Sequence, residues 1–458
     1  MSDITSTNEP RHSGTIFALL FVIPIFAVLL YGSTDVSALI PLAILTAILG
    51  GAWIARTWRS GVLEINPDKI QLPLIGLLIL GLIQLLPLGD AGIQPGVLSV
   101  PASNALSIDP YWTRIFLVRL VGYIIFFAAA LTFIDTEGRF RRALTVIISF
   151  GGIIAFVGIL QKLASPDAIY GVRKHSGAIP FGPYINSHHF ASLMVLLSGP
   201  AVAHLLGKGI SRQIKLLVAI SAAVMAIAVP FTGSRGGVIA YIAMLSIAVL
   251  AWFYRGKENE SRSWIPMIAG GAGLALIVVG SLVYLGGEAS MLRGFGVQSS
   301  VEDISSGRFH FWSVAWQIFL ANPILGTGLD SFAMAFTRFD TESGIFRIEQ
   351  AHNEYLQMLA DAGIIGFLIV MSFIVLLVRK ALTRLKEESD DLVRTTVIGG
   401  LAGCVGIFVH SIFDFPLRTA GNAYMFLLVI AVMFAPVALK SHRSSGRGRS
   451  RLSSRTEP

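Results

Sequence analysis

Few residues in this 458-residue chain are equipped for chemistry, and those that are fall in short, separate stretches. Arg235 sits in Phe231-Thr-Gly-Ser-Arg-Gly-Gly237. Glycines on both sides let backbone approach an anion closely and expose amide donors, and a guanidinium adds two parallel hydrogen bonds to a phosphate. Arg308 follows Ser-Ser-Gly and precedes Phe-His-Phe-Trp. An anion near a helix start there would meet both a guanidinium and free amides. His352 heads His-Asn-Glu-Tyr-Leu-Gln-Met-Leu-Ala-Asp-Ala-Gly-Ile-Ile-Gly366. An imidazole can exchange a proton near neutral pH. Because Tyr355, Leu356 and Leu359 follow at helical spacing, the pattern predicts that His352 shares their face.

Two further clusters combine histidine with polar neighbours. Pro183-Tyr-Ile-Asn-Ser-His-His-Phe190 supplies Asn186, His188 and His189, and His410-Ser-Ile-Phe-Asp-Phe-Pro-Leu-Arg418 supplies His410 and Asp414. Either pair has the spacing of metal ligands. No cysteine, third ligand or His-Glu-x-x-His accompanies them, so no metal is expected, and the i,i+4 His410/Asp414 pair is expected to hydrogen-bond instead. The segment Asn322-Pro-Ile-Leu-Gly-Thr-Gly-Leu-Asp330 lacks the Lys-Ser/Thr of a phosphate loop. The single cysteine, Cys404, excludes a disulfide framework.

The elements that must position these groups are transmembrane helices. Hydrophobic residues make up 54% of the chain and charged residues only 14%, against about 25% charged in soluble domains. Lipid must therefore cover most of its outside. Apolar runs long enough to cross a bilayer predict twelve spans: Thr15 to Gly32, Val36 to Ala55, Ile70 to Leu88, Ile115 to Ile134, Ala143 to Leu163, His189 to Leu206, Ile214 to Pro230, Val238 to Tyr254, Trp264 to Gly286, Gly363 to Val378, Val393 to Phe413 and Ala423 to Leu439. Arginine and lysine concentrate in alternate short loops, around Arg56, Arg141, Arg212, Arg255 and Arg384. This asymmetry puts those loops and both termini in the cytoplasm. The net charge of +8 thus reads as an orientation signal and gives no support to nucleic-acid binding.

The predicted fold class is all-α and polytopic, with about twelve transmembrane helices. Residues 1–14 form a cytoplasmic N-terminus, 15–286 nine spans, 287–362 a mainly helical outer loop, 363–440 three more spans, and 441–458 a disordered basic tail suited to contact with anionic lipid. In the loop, Phe309, Trp312, Trp316 and Phe319 fall on one face of a helix that Asn322-Pro323 ends.

Taken together, the motifs resemble the O-antigen ligase and O-antigen polymerase superfamily of bacterial membrane glycosyltransferases. His352, Asn353, Gly363 and Gly366 match the family's pattern of His, then Asn, Ser or Gln, nine residues, Gly, two residues and a small residue. The Arg235 turn is similar to the family's arginine segment, and Arg308, Trp312 and Asn322 to Gly328 to its second. Asn186 to Phe190 resembles its Asn-x-Asn-His-Phe, with His188 where Asn is usual, and Ile239 stands where ligases often have Leu. The His410 to Arg418 run resembles exopolysaccharide-type members.

This resemblance implies a donor glycan on undecaprenyl diphosphate at the periplasmic face of the bacterial inner membrane, and an acceptor that is lipid A-core or a second lipid-linked glycan. No cofactor is implied, and polysaccharide-assembly proteins are candidate partners. His352 is the expected base, Arg235 and Arg308 the diphosphate ligands, and Arg173 and Lys174 possible guides for diphosphate or acceptor. Asn186, His189, Asn353, His410 and Asp414 are expected in support. Ligase and polymerase both fit, with a slight lean to polymerase from the His410 to Arg418 run. A polysaccharide transporter or flippase is the alternative of another class, opposed by the lack of an internal repeat and by the clustering of polar residues at one membrane face.

Overall fold

A computed structural model describes residues 11–89, 104–174, 179–207, 210–256, 308–341 and 348–437. Thirteen α-helices occur among the described residues. They are α1 (Arg11–Leu29), α2 (Leu39–Ser60), α3 (Leu72–Gln84), α4 (Pro110–Phe133), α5 (Glu137–Ala164), α6 (Ser187–Leu206), α7 (Arg212–Phe231), α8 (Arg235–Gly256), α9 (Arg308–Ala321), α10 (Phe332–Phe339), α11 (Glu354–Glu387), α12 (Asp391–His410) and α13 (Ala420–Met433). Two two-residue strands, β1 (Ala168–Ile169) and β2 (Arg173–Lys174), pair antiparallel in the α5–α6 loop. Eight of the helices are long and apolar enough to cross a membrane, and three shorter ones are also apolar. The protein is therefore an all-α polytopic membrane protein.

Helices coincide with eleven of the twelve apolar runs. The ninth, Trp264 to Gly286, lies outside the described residues, as does the basic tail. Side-chain caps fix where several helices start: Asp109 accepts from Trp112 N, Thr136 from Arg139 N, Ser211 from Ile214 N, and Asp390 from Leu392 N and Val393 N. Each satisfies an amide that has no partner within the helix.

The centre of the bundle is the pair α6 and α12, which are its most buried long apolar helices. They touch through glycine. A Cβ on Gly199 would lie 2.4 Å from Gly399 O, and one on Gly403 would lie 2.4 Å from Leu196 O. Only hydrogen lets the backbones come this close, as in small-residue packing of membrane helices. The first turn of α6 and the last turn of α12 consequently meet at one end of the bundle, and with them His188, His189 and His410.

The opposite end carries the basic loops. There Arg56 pairs with Glu64 at 2.9 Å, Arg139 with Asp135 at 2.9 Å, and Lys380 with Asp68.

The aromatic helix α9 runs as expected and ends before Asn322-Pro323. Its buried face is Val314, Ala315 and Ile318, whereas Phe309 and Trp316 are exposed. The aromatic periodicity therefore marks its outer side. Just beyond it, Asn322 to Asp330 wraps a break in α11. Gly363 in that helix has φ 62° and ψ −165°, a conformation open essentially to glycine alone. The hydrogen bonds interrupted there are replaced by the loop: Thr327 N donates to Ala360 O at 3.0 Å, Gly328 N to Asp361 O at 2.9 Å, and Ile364 N to Pro323 O at 2.8 Å. The loop's amides thus serve the helix break and cradle no phosphate.

Candidate functional site

His352 stands two residues before α11, because Asn353 takes the N-cap position. The Asn353 side chain accepts from Tyr355 N and Leu356 N, both at 3.1 Å. The helix therefore starts at Glu354, and His352 does not share the face of Tyr355 and Leu359 that the spacing predicts. Its backbone is left-handed, φ 50°, which costs a non-glycine residue about 1–2 kcal/mol. The strain turns the imidazole away from the helix and toward the α12–α13 loop.

That ring is held on several sides. Its Nδ1 lies 3.3 Å from Asp414 Oδ1, Phe311 stacks on it at 29° with centroids 6.2 Å apart, and Phe415 meets it edge-on at 5.0 Å. Asp414 is 1% exposed and the His352 side chain 29% exposed. A carboxylate can only accept, so neutral His352 donates through Nδ1 and keeps its lone pair on Nε2. Phe415 N donates to the same Oδ1 at 2.9 Å. Burial would push the Asp414 carboxyl up, but the hydrogen bond from His352 and the neighbouring histidines outweigh it and hold the group below the ordinary carboxylate range.

Two backbone seams lock the pair together. Glu354 N donates to Ser411 O at 2.9 Å while Ser411 Oγ donates to Glu354 at 2.9 Å. Tyr355 Oη donates to Phe408 O at 2.8 Å.

Around this pair the structure gathers most of the residues singled out from sequence. His188 is in electrostatic reach of Asp414, Arg308, His352 and Arg235, and Arg308 in reach of Asp414 and Arg235. Burial and the nearby Arg235 charge lower the Arg308 pKa, and Asp414 opposes this. The starts of α8 and α9 thus bring two arginines into electrostatic reach of His188 and of each other.

His189 is buried with its Nε2 3.9 Å from Asp414 Oδ1. Neither of its ring nitrogens, nor Asp414 Oδ2, has a hydrogen-bond partner among the described residues. Unsatisfied buried groups of this kind tend to accompany function.

Asp414 N donates to His410 O at 3.0 Å, but the two side chains do not hydrogen-bond to each other as their spacing predicts. Ser192 intervenes: its hydroxyl donates to His188 O at 2.9 Å, so neutral His410 donates from Nδ1 to Ser192 Oγ at 2.7 Å. The His410 ring packs on the arginine turn, where a Cβ on Gly236 would sit 3.2 Å from its Cδ2. Here the glycine beside Arg235 makes room for histidine.

Other expected residues have structural partners. Asn186 caps α6 by accepting from His188 N at 2.9 Å. Arg173 pairs with Asp35 at 2.8 Å and lies over the Tyr31 ring at 4.5 Å, so its contacts are with the α1–α2 turn. Lys174 neighbours it on β2 and is exposed. Among the described residues no group of three His, Cys, Asp or Glu is arranged to hold a metal ion.

Sequence reading passed over Ser192, Asn422 and Arg418 as site residues. Asn422 bridges Tyr184 Oη at 2.7 Å and His189 O at 3.0 Å, and its signal was a polar side chain in an apolar run. Arg418 donates to Asp330 and Asp361, each at 2.9 Å.

The fold and site together define a multi-pass membrane protein with one polar centre, rich in histidine and arginine, built from helix ends at one face. Residues 220–371 match the family model described as O-Antigen ligase. That span, about a third of the chain, holds Arg235, Arg308, His352, Gly363 and Gly366, and the match supports the resemblance to the O-antigen ligase/polymerase superfamily. Asp414, His410 and the α6 histidines lie outside the matched span. No curated protein matches the chain.

Proposed function

We propose that this protein is an inverting glycosyltransferase that moves a glycan from undecaprenyl diphosphate to an acceptor hydroxyl at the periplasmic face of the inner membrane. The observation that carries the reading is the His352–Asp414 pair, which leaves Nε2 as a base, with His188 in electrostatic reach of that pair and of both arginines. The basic loops at the far end of the bundle support a cytoplasmic assignment for that end, and for both termini.

In the reaction, the acceptor hydroxyl oxygen attacks the anomeric carbon while its proton passes to His352 Nε2. The bond from that carbon to the diphosphate oxygen breaks, and the electron pair leaves with undecaprenyl diphosphate. Attack from the side opposite the leaving group inverts the anomeric configuration. Arg235 and Arg308 meet the charge that grows on the diphosphate, and they accelerate the step to the extent that their hydrogen bonds strengthen as it leaves. Asp414 holds the imidazole in the required tautomer and stabilises the imidazolium that forms, as the carboxylate of a catalytic triad does.

The His352→Ala variant, inserted in the membrane and still binding donor, is expected to lose about 10²- to 10⁴-fold in transfer rate. Undiminished transfer would remove the base from the mechanism. Between acceptors, the exopolysaccharide-like run from His410 to Arg418 favours polymerase. Its structural counterpart is that this run supplies Asp414 to the His352 pair. Deletion should then accumulate single-repeat lipid intermediates, whereas long lipid-linked chains left unattached would make the protein a ligase.

A further inference from the structure

A cavity of about 190 Å³ lies between α3, α4, α11, α12 and α13. Its wall is mainly aliphatic and aromatic, including Leu74, Leu77, Phe116, Phe373 and Leu427. An aliphatic and aromatic wall leaves the hydroxyls of a sugar ring without partners, so this cavity suits a segment of hydrocarbon chain better than a sugar ring.

Its polar lining comes from Arg119, Asp330, Glu354, Ser411 and Arg418 together with two tyrosines. Glu354 and Ser411 are the residues whose seam fastens His352 to Asp414. The cavity therefore backs onto the candidate base. None of its lining residues comes from α6, α8 or α9, the helices that bring His188, His189, Arg235 and Arg308.

Two guanidinium groups on this cavity have donors to spare. Arg418 is nine-tenths buried and binds Asp330 and Asp361 through its terminal nitrogens, yet its Nε has no partner among the described residues. Arg119 reaches Asp330 only at 3.9 Å, beyond hydrogen-bond distance.

We infer that the cavity holds the aliphatic chain of the acceptor, with a phosphate at the head of that chain on Arg119 and Arg418. The acceptor sugar then reaches His352 from the side away from the donor arginines. This assignment rests on the transferase reading above.

The test uses the full-length protein in lipid nanodiscs, irradiated with a diazirine-bearing farnesyl phosphate, with labelled peptides identified by mass spectrometry. Label is expected at the lining around Phe116 and Phe373 and is expected to fall in Ala423→Phe, whose ring fills the chamber. Kinetics with donor and acceptor varied separately give a second readout. Ala423→Phe should raise the acceptor KM about tenfold or more and leave the donor KM within about twofold. Arg119→Gln should raise the acceptor KM without filling the cavity, which keeps the test decisive if the larger side chain prevents folding.

Three results would overturn the assignment: no label at the cavity, equal labelling there by a photoreactive phosphatidylglycerol, or a rise in donor KM in place of acceptor KM. Wild-type protein that labels at the cavity but transfers no glycan would refute the transferase reading instead, so the two failures are distinguishable.

Discussion

Replacing Asp414 with Asn keeps the shape of the side chain and removes its charge. The amide oxygen can still accept from Phe415 N and from His352 Nδ1, so the change isolates the electrostatic part of the pair. With His352 protonated, unit charges 3.3 Å apart attract by about 5 kcal/mol at an effective dielectric of about 20. If the proton is about half transferred at the transition state, about half of this is lost, or roughly 2.5 kcal/mol. The turnover rate should then fall between about 30- and 200-fold. Should the amide rotate and donate to Nδ1, the proton would move to Nε2 and the loss would approach the roughly 10⁴-fold of a wrong-tautomer triad. Single-turnover transfer from the lipid-linked donor measures the rate, and a separate donor-binding titration should show little change. Folded variant protein that turns over within threefold of wild type would refute a role for Asp414 in holding the base. The depressed folded-state pKa of Asp414 adds a sign for stability. Its contribution is complete above the unfolded value of about 3.9 and is lost as pH falls through the folded value, so the variant should show a weaker acid-induced loss of stability.

Arg235→Lys keeps a charge but loses the planar fork, so donor affinity should drop about 5- to 30-fold, as read by donor titration, and Arg308→Lys should behave alike. Gly363→Ala forces a side chain into φ 62° and places Cβ 2.3 Å from Ile324 O. Destabilisation of about 3 kcal/mol or more is expected, visible as a lowered unfolding midpoint in detergent. Arg173→Ala should leave donor affinity and transfer rate unchanged, because that guanidinium is engaged by Asp35; a large loss of transfer would restore the guiding role that its position in the sequence suggested.

Much of this architecture was legible from residue type alone. A chain can satisfy its backbone in lipid only as helices or as a closed barrel; apolar runs of about 20 residues select helices, and they set where eleven of those helices lie. The resemblance of the Arg235, Arg308 and His352 motifs to one superfamily was legible too. What periodicity could not supply was the conformation just before a helix. Asn353 competes for the N-cap and places His352 outside the helix, so helical spacing predicted the wrong face for the ring. Nor could spacing choose between local and distant partners. His410 and Asp414 are four residues apart, yet Ser192 and His352 are their side-chain partners, because α6 packs closely on α12 and the Glu354–Ser411 seam docks the start of α11 on the end of α12.

The sequence by itself determined the helices, the orientation signal in the basic loops and the identity of the polar residues, since each follows from local composition and the cost of burying charge in lipid. Tertiary structure alone decided which of those residues meet. Glycine contact between α6 and α12, and the helix break at Gly363 held by the 322–330 loop, set the distances on which the His352–Asp414 pair and its two arginines depend. Those distances are relations between segments far apart in the chain, and no local pattern encodes them.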